Sequence, residues 1–184
     1  MESQKPSPPN YSSSVEKNFE KHRIDSNPDV EYLRHPSGVI VVLLSNSHEI
    51  LQKSVSKIEW NTSQKKGRGI DRSKQQVVGK GKKGGLQLFP DTRLCIIHCT
   101  DGSTYSIRAG IKATLVEVND RLFENPDLIQ TARDYHGYIA IVLPPAIDSK
   151  SNRKPKEFCQ GVVKEENEAQ EKGSNLIEET VNDS

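Results

Sequence analysis

The sequence predicts an all-β domain, a sandwich or barrel, carried between two polar tails, and three observations predict it. Apolar residues gather between about Tyr32 and Pro145 in short runs rich in Val, Ile and Leu. Turn formers bound these runs, and one pair, Asp101-Gly102, sits between two extended stretches. No apolar face repeats at the 3.6-residue spacing for long enough to give a substantial helix.

Taken in order, residues 1–12 are dominated by Ser, Pro, Asn and Gln, a composition that predicts disorder. Ser13 and Glu16 have capping-box spacing, with Val15 and Phe19 one turn apart, so a short helix is expected within an otherwise disordered segment 1–29. The first firm strand is Gly38–Leu44, and Val55, Ile58 and Trp60 suggest a second. Six glycines from Gly67 to Gly85 disfavour a long helix, leaving room only for a short strand at Val77-Val78. Leu94–Cys99 and Tyr105–Arg108 flank Asp101-Gly102, which reads as a hairpin turn with both positions at positive φ. Ile111–Val118 is the next strand, and Pro126 opens a short helix through Gln130. Gly137–Leu143 is the last strand, stopped by Pro144-Pro145. Beyond it the chain turns polar and acidic, with a marginal helix around Lys164–Lys172. About seven strands therefore form one domain at 30–146, followed by a disordered acidic tail at 147–184.

With 184 residues the chain holds one modest core. Its formal net charge of +1 selects no partner, but the charges are unevenly placed. Lys65, Lys66, Arg68, Arg72, Lys74, Lys80, Lys82 and Lys83 crowd one stretch against the single acid Asp71. Between Glu165 and Asp183 the balance reverses, seven acids facing Lys172 alone. Such blocks mark interaction surfaces or solvated tails. Cys95, Cys99 and Cys159 are odd in number and the N-terminal residues are polar, so the expectation is a soluble intracellular chain with reduced thiols. No apolar run approaches the ~20 residues that a bilayer span needs, and no membrane partner is expected.

Several patterns invite chemistry and do not carry it. Gly79-Lys-Gly-Lys-Lys-Gly84 fits Gly-x-Gly-x-x-Gly, but Gly85 and Pro90 leave no room for the helix whose N-terminus would meet a pyrophosphate. On a strand, Cys95 and Cys99 share one face, about 13 Å apart at ~3.3 Å per residue, while His98 points to the other. That spacing suits core thiols and an edge histidine rather than a zinc site. Asp101, Ser103 and His98 lack the context of a hydrolytic set. The expectation is therefore no catalytic residue, no metal and no cofactor. The eight cations at 65–83 are the best partner-binding candidates, the bland alternative being a solvated loop. Aromatic residues do not interleave with them, which favours an acidic protein over nucleic acid as partner. The same lysines also suit a nuclear import patch.

Leu115-Val-Glu-Val-Asn-Asp-Arg-Leu122, Glu124-Asn-Pro-Asp-Leu-Ile129 and Gly137-Tyr-Ile-Ala-Ile-Val142 resemble the back half of glycine-cleavage H proteins. That resemblance implies a barrel-sandwich hybrid, the single hybrid motif of lipoyl and biotinyl carriers. In H proteins the modified lysine sits at a hairpin tip, and the corresponding position here falls near Gly102, with Lys112 already in the next strand. Over roughly residues 30–145 the order Leu94-Cys95, Cys99-Thr-Asp101-Gly102, Tyr105, Leu115–Asn119 and Gly137–Pro144 is similar to the Simiate/Abitram (actin-binding transcription modulator) family. Ser45–Gln52 and Val78–Gly84 resemble its loop and its basic turn. Membership would imply a non-enzymatic protein that binds monomeric and filamentous actin and regulates polymerisation. It would also imply residence in the nucleus, including speckles, in the cytoplasm and in actin-rich cell projections. The alternative reading is a degenerate lipoyl-carrier-like domain serving as an adaptor for protein or nucleic acid.

Overall fold

Turn formers cut the chain into short extended runs, and the computed structural model pairs them into two antiparallel sheets. It describes residues 17–60, 85–145 and 154–159. In chain order the strands are β1 (Glu20–His22), β2 (Val30–Arg34), β3 (Ile40–Leu44), β4 (Val55–Glu59), β5 (Gln87–Leu88), β6 (Arg93–Cys99), β7 (Thr104–Arg108), β8 (Ala113–Val118) and β9 (Ala140–Leu143). Single-turn helices α1 (Arg121–Glu124) and α2 (Leu128–Thr131) fill the β8–β9 connection, and 3-10 turns cover Glu49–Gln52 and Lys156–Cys159. One sheet has the order β1-β2-β3-β9-β8-β5 and the other β4-β6-β7.

The two sheets share one core. Tyr32, Ile40, Val42, Leu115 and Val142 from the larger sheet join Ile58, Cys95, Ile97 and Ile107 from the smaller, with Leu122 and Ile129 from the helical turns. From Cys95 onward β6 alternates: Cys95, Ile97 and Cys99 are buried, and Ile96 and His98 are partly exposed, while Leu94, at a register shift, is buried as well. The all-β expectation is met, with nine strands among the described residues where about seven were expected.

Residues 17–29 belong to the packed unit, so a boundary at residue 30 is too late. Lys17 and Asn18 are helical, and β1 then pairs with β2 through Glu20↔Arg34, Lys21↔Leu33 and His22↔Tyr32. Ile24 and Asn27 are buried behind it. The C-terminal boundary at 146 is also too early, because Phe158 is fully buried in the same core. The expected strand at Val77-Val78 and the helix around Lys164–Lys172 lie outside the described residues, as do residues 1–16.

The motif residues of the β8–β9 region are structural. Asn119 is buried, and its Nδ2 donates to the carbonyls of His136 (2.6 Å) and Tyr138 (2.8 Å) while its Oδ1 accepts from the Arg121 N–H (3.2 Å). It thereby fixes the start of α1 against the approach to β9. The Tyr138 hydroxyl donates to Glu117 at 2.9 Å. Burial and that carboxylate push the phenol up to about 12. A Cβ at Gly137 would overlap the Leu128 carbonyl, so the chain passes α2 only with glycine there.

A polar clasp joins the sheets. The Tyr32 hydroxyl on β2 donates to the Ala109 carbonyl just after β7, at 2.9 Å, and accepts from Asn27 Nδ2 at 2.9 Å. Asn27 Nδ2 also donates to the Arg108 carbonyl at 3.2 Å. Gly110 follows with φ +69°, and a Cβ there would collide with both Tyr32 Oη and Asn27 Nδ2. Gly102, in the β6–β7 loop, also has a left-handed φ of +83°, but nothing lies near where its Cβ would point. The two glycines therefore predict different penalties. Gly102→Ala should cost backbone strain alone, about 1 kcal/mol. Gly110→Ala adds a collision with two fixed polar groups and should cost at least about 3 kcal/mol by urea unfolding. Tyr32→Phe, which leaves buried groups unpartnered, should cost about 1–3 kcal/mol. Equal losses for the two glycine variants would contradict the clasp.

Candidate functional site

The eight cations expected to meet a partner, Lys65, Lys66, Arg68, Arg72, Lys74, Lys80, Lys82 and Lys83, lie outside the described residues. Where their segment leaves and rejoins the domain is defined. It departs after β4, an edge strand of the smaller sheet, and returns before β5, an edge strand of the larger. Both ends are anchored. Trp60 is buried, its ring 6.0 Å from that of the half-exposed Phe123 on α1. On the return side the Leu86 carbonyl accepts from the Leu115 N–H at 2.8 Å, and Leu88 is buried opposite Ala113. The described residues that flank 61–84 are thus held at two sheet edges by apolar side chains.

The second feature is the β6–β7 tip, where the resemblance places a carrier lysine. The loop is longer than a two-residue Asp-Gly turn. The Gly102 N–H donates to the Cys99 carbonyl (3.1 Å), and the Cys99 N–H to the Ser103 carbonyl (2.9 Å). Asp101 Oδ1 accepts from the Ser103 N–H at 2.9 Å and from its hydroxyl at 2.5 Å. Lys53 reaches the tip from the connection before β4, donating to Asp101 Oδ2 at 2.9 Å and to Ser103 Oγ at 3.0 Å. Its ammonium also lies 5.3 Å from the Tyr105 ring centroid. Ser103 and then Lys53 hold the Asp101 carboxyl well below the usual range, while Tyr105 and Asp101 push the Lys53 amine up. Lys53 is therefore a charged clamp on the tip and a poor nucleophile. The sequence offered no sign of it, because loop lysines are commonplace and its partners lie 48 and 50 residues away.

Asp101 and Ser103 meet, but His98 does not join them: its Nε2 faces Glu59 at 3.3 Å across the β4–β6 pairing. Cys95 and Cys99 are buried in the core on the other side of the strand. Lys112 lies just before β8, its ammonium 6.0 Å from the Phe89 ring centroid. No group of three or more His, Cys, Asp or Glu among the described residues is arranged to hold a metal ion. Among the same residues no helix is long and apolar enough to cross a membrane.

A third feature was missed altogether. Glu31 on β2 is fully buried, yet its carboxylate accepts from Arg23 Nε (2.9 Å), Arg23 Nη2 (2.5 Å), Arg133 Nη1 (2.8 Å) and the Asn46 N–H (3.3 Å), with Lys21 Nζ at 3.3 Å. Arg133 Nη1 also donates to the Leu44 carbonyl at 2.6 Å, tying the connection after α2 to the end of β3. Burial alone would raise this carboxyl, but the Arg133 and Arg23 hydrogen bonds outweigh it and hold the group at about 2, against an ordinary 4.5. Because the folded value is depressed, the stabilisation is present above pH 4.5 and is lost as pH falls towards 2. The stability difference between the unsubstituted chain and Glu31→Gln should shrink by about 2 kcal/mol from pH 5.5 to pH 3 in urea titrations. A pH-independent difference would contradict the assignment.

No family model matches the chain. Among curated proteins, an uncharacterized protein of Caenorhabditis elegans is 46% identical over 132 residues, covering 72% of this chain and 81% of that one. Protein Abitram of Bos taurus is 34% identical over 138 residues, 72% of each chain, and Protein Abitram of Homo sapiens is 34% identical over 121 residues, 65% of each. Among solved structures, a glycine cleavage system H protein from Mycobacterium marinum superimposes with a TM-score of 0.48 at 13% identity, covering 70% of this chain and 86% of that one. On the extent and identity of the match to the Bos taurus protein, this chain belongs to the Abitram family.

Proposed function

We propose that this protein is a non-enzymatic actin-binding module that regulates polymerisation, with the cationic segment 65–83 as its contact and with roles in both the nucleus and actin-rich projections. Family membership is the observation that carries the reading, since the resemblance in sequence associates this family with actin. Charge supports the choice of contact. Actin's surface is acidic, and eight cations against one acid, spread among glycines, gain from counter-charge without a shaped pocket. The residues on either side of the segment, Trp60 and Leu86–Leu88, are packed in the domain.

Single surface ion pairs are worth about 0–1 kcal/mol, so one substitution should change little. Replacing Lys80, Lys82 and Lys83 together with Glu reverses three charges and should reduce co-sedimentation with actin filaments at least tenfold, the melting temperature being unchanged. Salt should weaken the unsubstituted chain too, as the Debye length falls from about 10 Å at 0.1 M to about 3 Å at 1 M. A folded triple variant that pellets like the unsubstituted chain would exclude this segment as the contact. Retained affinity for duplex or single-stranded nucleic acid, with none for actin, would favour the adaptor reading.

A further inference from the structure

Phe158 lies far from the other aromatic residues in sequence, yet it is completely buried. It stacks on His22 with ring centroids 4.2 Å apart and planes 11° from parallel, and meets Tyr32 at 5.3 Å and 51°. His22 and Tyr32 are cross-strand partners on β1 and β2, so together they form the walls of a slot at that edge of the larger sheet. Pro155, three residues earlier, is buried as well, and the Phe158 N–H donates to its carbonyl at 3.2 Å, so the segment enters as one tight turn. Lys154 and Lys156 stay exposed on either side of Pro155.

The walls carry hydrogen bonds of their own. The Tyr32 hydroxyl is held by Ala109 and Asn27. His22 Nε2 lies 3.4 Å from Glu20 Oε2, which also receives Arg34 Nη1 at 3.0 Å. Burial, with Lys154 and Arg34 near, lowers the imidazole's proton affinity despite Glu20, so the stacked ring is neutral at pH 7. An aromatic slot with hydrogen-bonded walls, filled by a four-residue turn at the edge of the core, has the anatomy of a short-peptide site.

We propose that His22 and Tyr32 form a docking site for a Pro-x-x-Phe peptide, and that the chain's own Pro155–Phe158 is its resident ligand. The occupant precedes the acidic stretch Glu165–Asp183 in the chain. A ligand held in cis in this way is displaceable, and the emptied slot accepts the same motif in trans.

The test uses the full chain carrying Phe158→Ala and a fluorescein-labelled peptide Lys-Pro-Lys-Glu-Phe, followed by anisotropy. Saturable binding is expected, at least tenfold weaker to the unsubstituted chain, whose slot is filled. It should also be at least tenfold weaker when the peptide's Phe is replaced by Ala, or when His22→Ala is added to the variant chain. In the unsubstituted chain, amide exchange across 156–158 should run at least tenfold faster than in β3 and β6, the segment opening without the sheets. Equal peptide affinity for the two chains, or no binding to a Phe158→Ala chain that still melts cooperatively, would overturn the assignment. Exchange of the segment at the rate of the central strands, or loss of cooperative melting in Phe158→Ala, would make Phe158 an ordinary core residue and overturn it equally.

Discussion

The architecture depends on the hydrogen-bonded clasp of Tyr32, Asn27 and the Arg108–Gly110 backbone. Two small sheets packed face to face are held mainly by non-directional apolar contact, which fixes distance better than register. The clasp adds direction. Tyr32 carries a hydroxyl into the core and spends both its hydrogen bonds there, one to the strand-end backbone of the other sheet and one to Asn27. Burial drives the phenol's proton affinity up, so it remains a neutral donor. The backbone that receives it is held from a third side, the Ala109 N–H donating to the Thr92 carbonyl and the Gly110 N–H to the Pro90 carbonyl. Glycine at 110 is the consequence, because no side chain fits where the three meet. The same tyrosine ring also packs on Phe158.

Charge is organised on a second principle. Inside the domain, charges are paired at fixed geometry: Glu31 with Arg23 and Arg133, Glu20 with Arg34, Asp101 with Lys53. A buried carboxylate such as Glu31 is tolerated only because several cations converge on it, and removing one partner exposes the cost of the rest. The cationic segment lies in sequence between β4 and β5, outside the described residues. Among the described residues, then, the principal carboxylates are each met by a cation at hydrogen-bonding distance.

Much of the frame was legible in the sequence. Ile40–Leu44, Arg93–Cys99 and Ala140–Leu143 are uninterrupted or alternating apolar runs between turn formers, and local pattern suffices for them. The hairpin tip was located correctly between Cys99 and Thr104, and Gly102 has the expected left-handed φ. What pattern reading missed depends on distant partners. Val30–Arg34 shows no alternation because Glu31 and Arg34 sit among apolar residues, and their burial makes sense only with Arg133, 102 residues from Glu31, and Glu20 in place. β5 is two residues long, below what any periodicity can register. Phe158 is a single aromatic residue among charged ones, and only the slot that receives it reveals its role. The candidate cations, by contrast, were legible as composition, and composition alone locates them.

The central claim is that this frame delivers its cationic segment to an acidic filament surface. Zero-length carbodiimide cross-linking of the full chain to filamentous actin, read by mass spectrometry, tests it most directly. The account predicts that the cross-links to actin carboxylates come from Lys65, Lys66, Lys74, Lys80, Lys82 and Lys83 and disappear at high salt. Cross-links that come instead from lysines of the sheets, such as Lys57 or Lys112, or that persist unchanged at high salt, would contradict it.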